Sequence, residues 1–394
     1  MFYIILLGGQ LILSMRIDAY ELAQSRTDLF GYWFGFFLSS ILALKMISNG
    51  SAMVSSILTV VVLLTYMSLV HFFTASSDSL ISFLISRYGL LMWFVLGLGF
   101  SSTLGVLEER RNLQITKLTI LIILAFLGLL VSTFSFQIIQ DPVLTLSYQS
   151  VASSASILLL MFACILNVVW GRALPLYLAF SYISIATIVV VATVLLQSTG
   201  IFILWLGIVI SFLGQKVLDS GLGNLLLIVI ILIILTYVLI QSEAFVMIAT
   251  TTRFASFFFS DGELSSLTSR LEILETFTQQ FSVSPIFGHF KAQVLAGFDE
   301  GRFIHSLPLS FLTHTGLIGT SLICLILFNL LYSRNPFRRG LEQSESRLAF
   351  LFLIVLALGS ISTFLTWSVF WFMLGVLCRR PAKKYKRNKN ACNY

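Results

Sequence analysis

Unbroken apolar runs about 20 residues long recur along this chain, and they restrict its fold more than any other feature. They stand near 1–15, 29–47, 52–73, 88–107, 118–139, 151–170, 174–196, 200–214, 221–240 and 306–332. A bilayer core about 30 Å thick is crossed by about 20 residues of α-helix. In lipid every backbone N–H and C=O must find a partner inside the protein, so only helices and closed barrels cross it. Barrel strands alternate apolar and polar residues, and these runs do not alternate. The chain is 58% hydrophobic and 10% charged, where a soluble domain is about 25% charged. The expected fold is therefore all-α, a polytopic membrane bundle.

The stretch 348–377 needs separate treatment. As one helix it would run about 45 Å, longer than the hydrocarbon core. Arg334, Arg338, Arg339 and Arg347 precede it and the basic run Arg379–Lys389 follows it. Basic flanks prefer the cytoplasmic side, so the stretch is expected to form two short helices turning near Gly359–Thr363. That brings the expectation to about 12 transmembrane helices with both termini cytoplasmic. Under this topology 17 of the 24 Lys and Arg residues lie inside and 6 outside, with Arg87 at the outer edge of the fourth span. The asymmetry follows the positive-inside rule. The first run has no basic n-region and no clear small-x-small cleavage site, so it is read as a membrane helix.

The chain is expected to be one integral membrane domain, residues 1–394, with a periplasmic loop at 241–305 and a basic cytoplasmic tail at 379–394. The tail reads as a membrane-surface anchor to lipid headgroups and not as a nucleic-acid arm. The four cysteines lack CxxC spacing and the four histidines lack an HExxH pattern. The cysteines read as packing residues; no metal or cofactor is expected.

Loops this long in compact chains usually have a use. Within it, Leu267, Leu271, Leu274 and Phe281 recur at helical spacing, predicting an amphipathic helix over Leu264–Phe281, apolar face toward the membrane. Arg270 lies near that apolar face, at headgroup depth, where its planar fork suits a phosphate. His305 stands just before the span at 306–332. Pro308 suits the first turn of that helix, whose positive N-terminal end makes an anion site beside His305. Leu309, Leu312, Gly316 and Gly319 follow, and the small residues are expected to admit a closely packed neighbouring helix. Arg253 is a candidate second phosphate contact and Arg87 a candidate lining residue of the same membrane mouth, while Arg302, Glu272 and Glu275 are further charges of the loop. Each also fits a solvated loop face or, for Arg87, a snorkelling span end. His71 reads as interfacial, and His314 as a bundle-packing residue.

The order Arg270-Leu-Glu-Ile-Leu-Glu, Ser284-Pro-Ile-Phe-Gly288, His305-Ser306, Thr315-Gly-Leu-Ile-Gly319 resembles the signature of the O-antigen polymerase and O-antigen ligase superfamily. That signature has an Arg opening a periplasmic helix, a Pro-x-x-Gly turn, a His before the next span and then Gly-Leu-x-Gly. The likeness covers about 50 residues, with compatible topology elsewhere. Two pieces depart from the pattern: Ser198-Thr199-Gly200 lacks the Arg often found there, and His305 is followed by Ser306 where the family often has Asn.

The resemblance implies a membrane glycosyltransferase of C-type architecture, inverting and metal-independent, that polymerises undecaprenyl-pyrophosphate-linked oligosaccharide repeat units into O-antigen. A chain-length regulator protein is an implied partner. Negative charge grows on the departing pyrophosphate, so a cation must grip it; Arg270 is the expected grip, with Arg253, Arg302, Arg87, Glu272 and Glu275 as further candidates for holding pyrophosphate or glycan. His305 is the expected base or phosphate ligand, with Glu272 and Glu275 as alternative bases. The rival readings are a ligase that moves finished glycan to lipid A-core, and a non-enzymatic flippase of lipid-linked glycans. The latter fits less well, because the charged residues from Leu118 to Ile240 are only Arg172, Lys216 and Asp219, expected in inside loops, and Asp141, in the loop between the runs at 118–139 and 151–170, so none falls within a span.

Overall fold

The computed structural model describes residues 26–74, 90–109, 148–169, 275–290, 306–334, 343–362 and 367–380, together with 201, 204, 205, 207, 208 and 304. Among these the architecture is helical and contains no strand beyond one isolated bridge. The elements are α1 (Arg26–Ser48), α2 (Val54–Thr74), α3 (Leu90–Glu109), α4 (Tyr148–Val169), α5 (Phe277–Ser282), α6 (Leu307–Arg334), α7 (Gln343–Ser362) and α8 (Ser368–Leu377). α1 to α4 and α6 fall on the expected apolar runs to within a few residues. The runs near 1–15, 118–139, 174–196 and 221–240 lie outside the described residues.

Two described helices, α2 and α6, are long and apolar enough to cross a membrane. On α2 the buried positions Ile57, Val60, Leu63, Leu64 and Met67 recur every three or four residues, as a packed helical face requires. The opposite face is apolar too, exposing Leu58, Val61, Val62, Leu69, Phe72 and Phe73. α6 likewise exposes Leu317, Leu325 and Phe328.

α2 and α6 run antiparallel. Met53, before α2, lies beside Ser333 near the end of α6, while Tyr66 meets Thr315 on the first third of α6. α7 turns back along α6, with Gly359 against Leu307, and the chain reverses again into α8. The reversal is visible at Arg334, whose guanidinium bonds Glu345 at the start of α7 and the carbonyl of Arg379 just past α8. Arg334, before α7, and Arg379, after α8, therefore stand at one end of the bundle, as two helices doubling back require.

The expected boundaries of this hairpin need correction. α7 begins at Gln343 and α8 is only ten residues long. Hydropathy placed the start at 348 because Glu345 and Arg347 look like a solvated flank. Both are buried: Glu345 pairs with Arg334 at 3.0 Å, and Arg347 donates to Asn167 of α4 at 2.7 Å. Charge satisfied by a partner can be carried inside a helix bundle.

α8 is buried along its whole length. Its Phe370 and Trp371 pack on Phe311 of α6, and Phe372 on Phe100 of α3. Gly97 of α3 and Gly375 of α8 form the crossing point, where a Cβ on either would overlap the other helix's backbone. Small residues at such contacts let two backbones approach.

Candidate functional site

α6 is broken. Gly316, nine residues past its start, has φ 60° and ψ −166°, which divides the helix into Leu307–Thr315 and Leu317–Arg334. A break of this kind removes helical hydrogen bonds, and backbone groups deprived of partners are costly away from water. The turn that follows α5 supplies those partners. α5 ends at Ser282, ahead of Ser284-Pro285, where the proline biases its predecessor away from helix. The turn closes on itself through Gly288 N–H donating to the Ser284 carbonyl at 2.8 Å. Gly288 has φ 77°, a left-handed conformation that side chains disfavour.

The turn caps both halves of α6. Leu317 N–H donates to the Pro285 carbonyl at 2.9 Å and Ile318 N–H to that of Ile286 at 3.2 Å, occupying first-turn donors of the second half. His289 N–H donates to the Thr313 carbonyl at 3.1 Å, serving the last turn of the first half. Side chains complete the set. Tyr66 Oη donates to the Phe287 carbonyl at 2.7 Å and lies 3.2 Å from that of Thr315. Thr74 Oγ1 accepts from Phe290 N–H at 2.9 Å. His314 Nδ1 lies 2.7 Å from the His289 carbonyl. A carbonyl only accepts, so Nδ1 carries the proton in this contact. The rings pack in a row: His71 edge-on to Phe290 at 5.3 Å, and Phe290 stacked on His314 at 5.2 Å.

Two stretches that lie apart in sequence thus meet. Ser284–Gly288 and Thr315–Gly319 are joined by paired backbone hydrogen bonds. The expected role of Gly316 and Gly319 is corrected in part. The close neighbour at Gly316 is the 284–288 turn and not a helix; a Cβ there would overlap the backbone of Ile286. At Gly319 a Cβ would crowd the Thr315 side chain and approach the Tyr66 ring of α2. His314 is buried as expected, and beyond packing it holds the turn.

Arg270, His305, Arg253, Arg302, Arg87 and Glu272 lie outside the described residues, as does the first part of the helix expected over Leu264–Phe281. Glu275 is exposed ahead of α5. The flanks of His305 are buried: Ile304 is fully enclosed and Ser306, also buried, accepts from Ser310 N–H at 2.7 Å in the first turn of α6. The start of α6 thus stands where it was expected. The break at Gly316 offers no second anion site among these donors, because turn carbonyls already take the N–H groups of Leu317 and Ile318.

Sequence reasoning missed Tyr66 and Thr74. Each acts on a residue more than 200 positions away, and neither stands in a motif. No protein-family model matches the chain, and no match is found among curated proteins or solved structures.

Proposed function

We propose that this chain is a polytopic inner-membrane glycosyltransferase that joins undecaprenyl-pyrophosphate-linked oligosaccharide units into O-antigen at the periplasmic face. The supporting observation is the docking of the Ser284–Gly288 turn onto the break at Gly316. It brings together two pieces of the polymerase-like signature that lie apart in sequence. Non-helical backbone at membrane depth is tolerated where it is buried in protein or lines a polar cavity. The apolar outer faces of α2 and α6 suit a lipid surround. In this reading both termini are cytoplasmic and the basic end around Arg334 faces the cytoplasm.

The roles follow from the chemistry. Arg270 grips the pyrophosphate as its C–O bond breaks, assisted by Arg253, Arg302 or Arg87. His305, at the positive end of α6, takes the acceptor hydroxyl's proton or binds phosphate; Glu272 and Glu275 are the alternative bases. The loop's four basic residues, Arg253, Arg270, Lys291 and Arg302, are outnumbered by acidic ones, which suits a largely neutral sugar acceptor better than anionic lipid A-core.

Deleting the gene in a Gram-negative host should leave lipopolysaccharide carrying one repeat unit in place of a ladder on a silver-stained gel. Arg270→Ala should reproduce the deletion at normal expression, and Arg270→Lys should recover little, because a point charge lacks the two-point grip. Loss of all O-antigen with long polymer held on undecaprenyl pyrophosphate would assign the ligase reaction instead. A second reading draws on the break itself, since broken helices also build transporter sites. A flippase deletion would trap single lipid-linked units on the inner leaflet.

A further inference from the structure

We propose that α2 is the positioning element of this site, with Tyr66 and Thr74 as a two-point latch that holds the Ser284–Phe290 turn in the break of α6. The inference deepens the function proposed above, and its structural half is independent of it. The turn's backbone hydrogen bonds to α6 run to backbone groups. Hydrogen-bonding side chains add to them, His314 from α6 and Tyr66 and Thr74 from α2, and the Phe290 ring packs on His314 and His71.

The two α2 hydroxyls are placed differently. Tyr66 Oη has one proton and two carbonyls within reach, Phe287 on the turn and Thr315 on the last residue before the break. It therefore bridges the two segments beside Gly288 and Gly316, where neither backbone leaves room for a Cβ. Thr74, two turns further along α2, donates to the Val70 carbonyl at 2.7 Å and accepts from Phe290 N–H. Both functions of its hydroxyl are used. A shift of about 1 Å in residues that position a reacting group costs large factors in rate. Tyr66 and Thr74 act through the placement of the 284–290 turn in the break of α6, on whose docking the proposed function rests.

The test uses full-length protein in nanodiscs of phosphatidylethanolamine and phosphatidylglycerol. Amide hydrogen exchange is followed by mass spectrometry on peptides covering 284–290. Tyr66→Phe and Thr74→Val should each speed exchange there about fivefold, the effect of one ordinary hydrogen bond. Peptides from α7 and α8 should be unchanged, which excludes general unfolding. Thr74→Ser, which keeps the hydroxyl, should retain wild-type protection. In repeat-unit transfer from a lipid-linked oligosaccharide, the two damaging variants should lower kcat with little change in the donor KM. Unchanged protection in both overturns the latch. Lost protection with kcat intact overturns its positioning role. The exchange arm needs no substrate, so absence of transfer by the wild type would refute the proposed function and leave the latch to be judged by exchange alone.

Discussion

At Gly288 and Gly316 the backbones of the turn and of α6 are too close for a side chain on either. A Cβ on Gly288 would overlap the backbone of His314 and Gly316, and φ is positive at both glycines. Gly50 also has a positive φ, 67°, but nothing lies within 4 Å of its would-be Cβ. Gly50→Ala should therefore cost no more than the left-handed backbone itself, about 1–2 kcal/mol. Gly288→Ala and Gly316→Ala should cost clearly more, read as a lower thermal midpoint in detergent-solubilised protein. Equal midpoints for all three would show that the docking is looser than described. His314 offers a second contrast. An Asn there can present its amide N–H where Nδ1 now stands, whereas Leu strands the His289 carbonyl at a cost of about 1–3 kcal/mol. His314→Asn should retain more stability than His314→Leu; the reverse order would mean that ring packing against Phe290 outweighs the hydrogen bond.

Among the elements, α7 shows how charge is carried into an apolar bundle. Its first turns hold Glu345 and Arg347, both buried and both bonded to other helices. Arg334 joins the end of α6, the start of α7 and the chain just past α8. The same end is tied again by Met53 N–H donating to the Cys378 carbonyl at 2.7 Å and Arg380 N–H to that of Ser51 at 2.8 Å. Removing one member of a buried ion pair leaves the other uncompensated, at about 3–5 kcal/mol. Glu345→Leu and Arg334→Met should each lower the thermal midpoint sharply. The double variant should recover part of the loss, because paired apolar replacements remove the stranded charge. Strict additivity of the two losses would show that the pair does not act as a unit. α8 is the counterpart: it carries no charge, lies wholly inside, and meets α3 through glycines where a larger residue would force the helices apart.

For the whole molecule, the orientation of the bundle is the property to test. A cysteine at Asp299 should react with a membrane-impermeant thiol reagent in intact spheroplasts, and one at Lys384 should react only after permeabilisation. Both positions lie outside the described residues, and the expectation rests on the asymmetry of Lys and Arg. Equal labelling in intact spheroplasts would overturn the topology. The chain by itself determined that it would be helical, where α1 to α4 and α6 lie, and that the stretch before the basic tail would double back. Those are consequences of run length and flanking charge, which act locally and can be read along a single strand of sequence. Tertiary structure alone decided where α7 starts, since Glu345 and Arg347 look solvated until Arg334 and Asn167 stand beside them. It alone decided that α6 breaks at Gly316. Glycine suits both a tight helix crossing and a left-handed bend. The choice fell to the bend because the 284–290 turn, together with Tyr66, Thr74 and His314, supplies hydrogen-bond partners at the break. Partners more than 200 residues apart leave no periodicity in a sequence, so the site's supports on α2 appear only once the chain is folded.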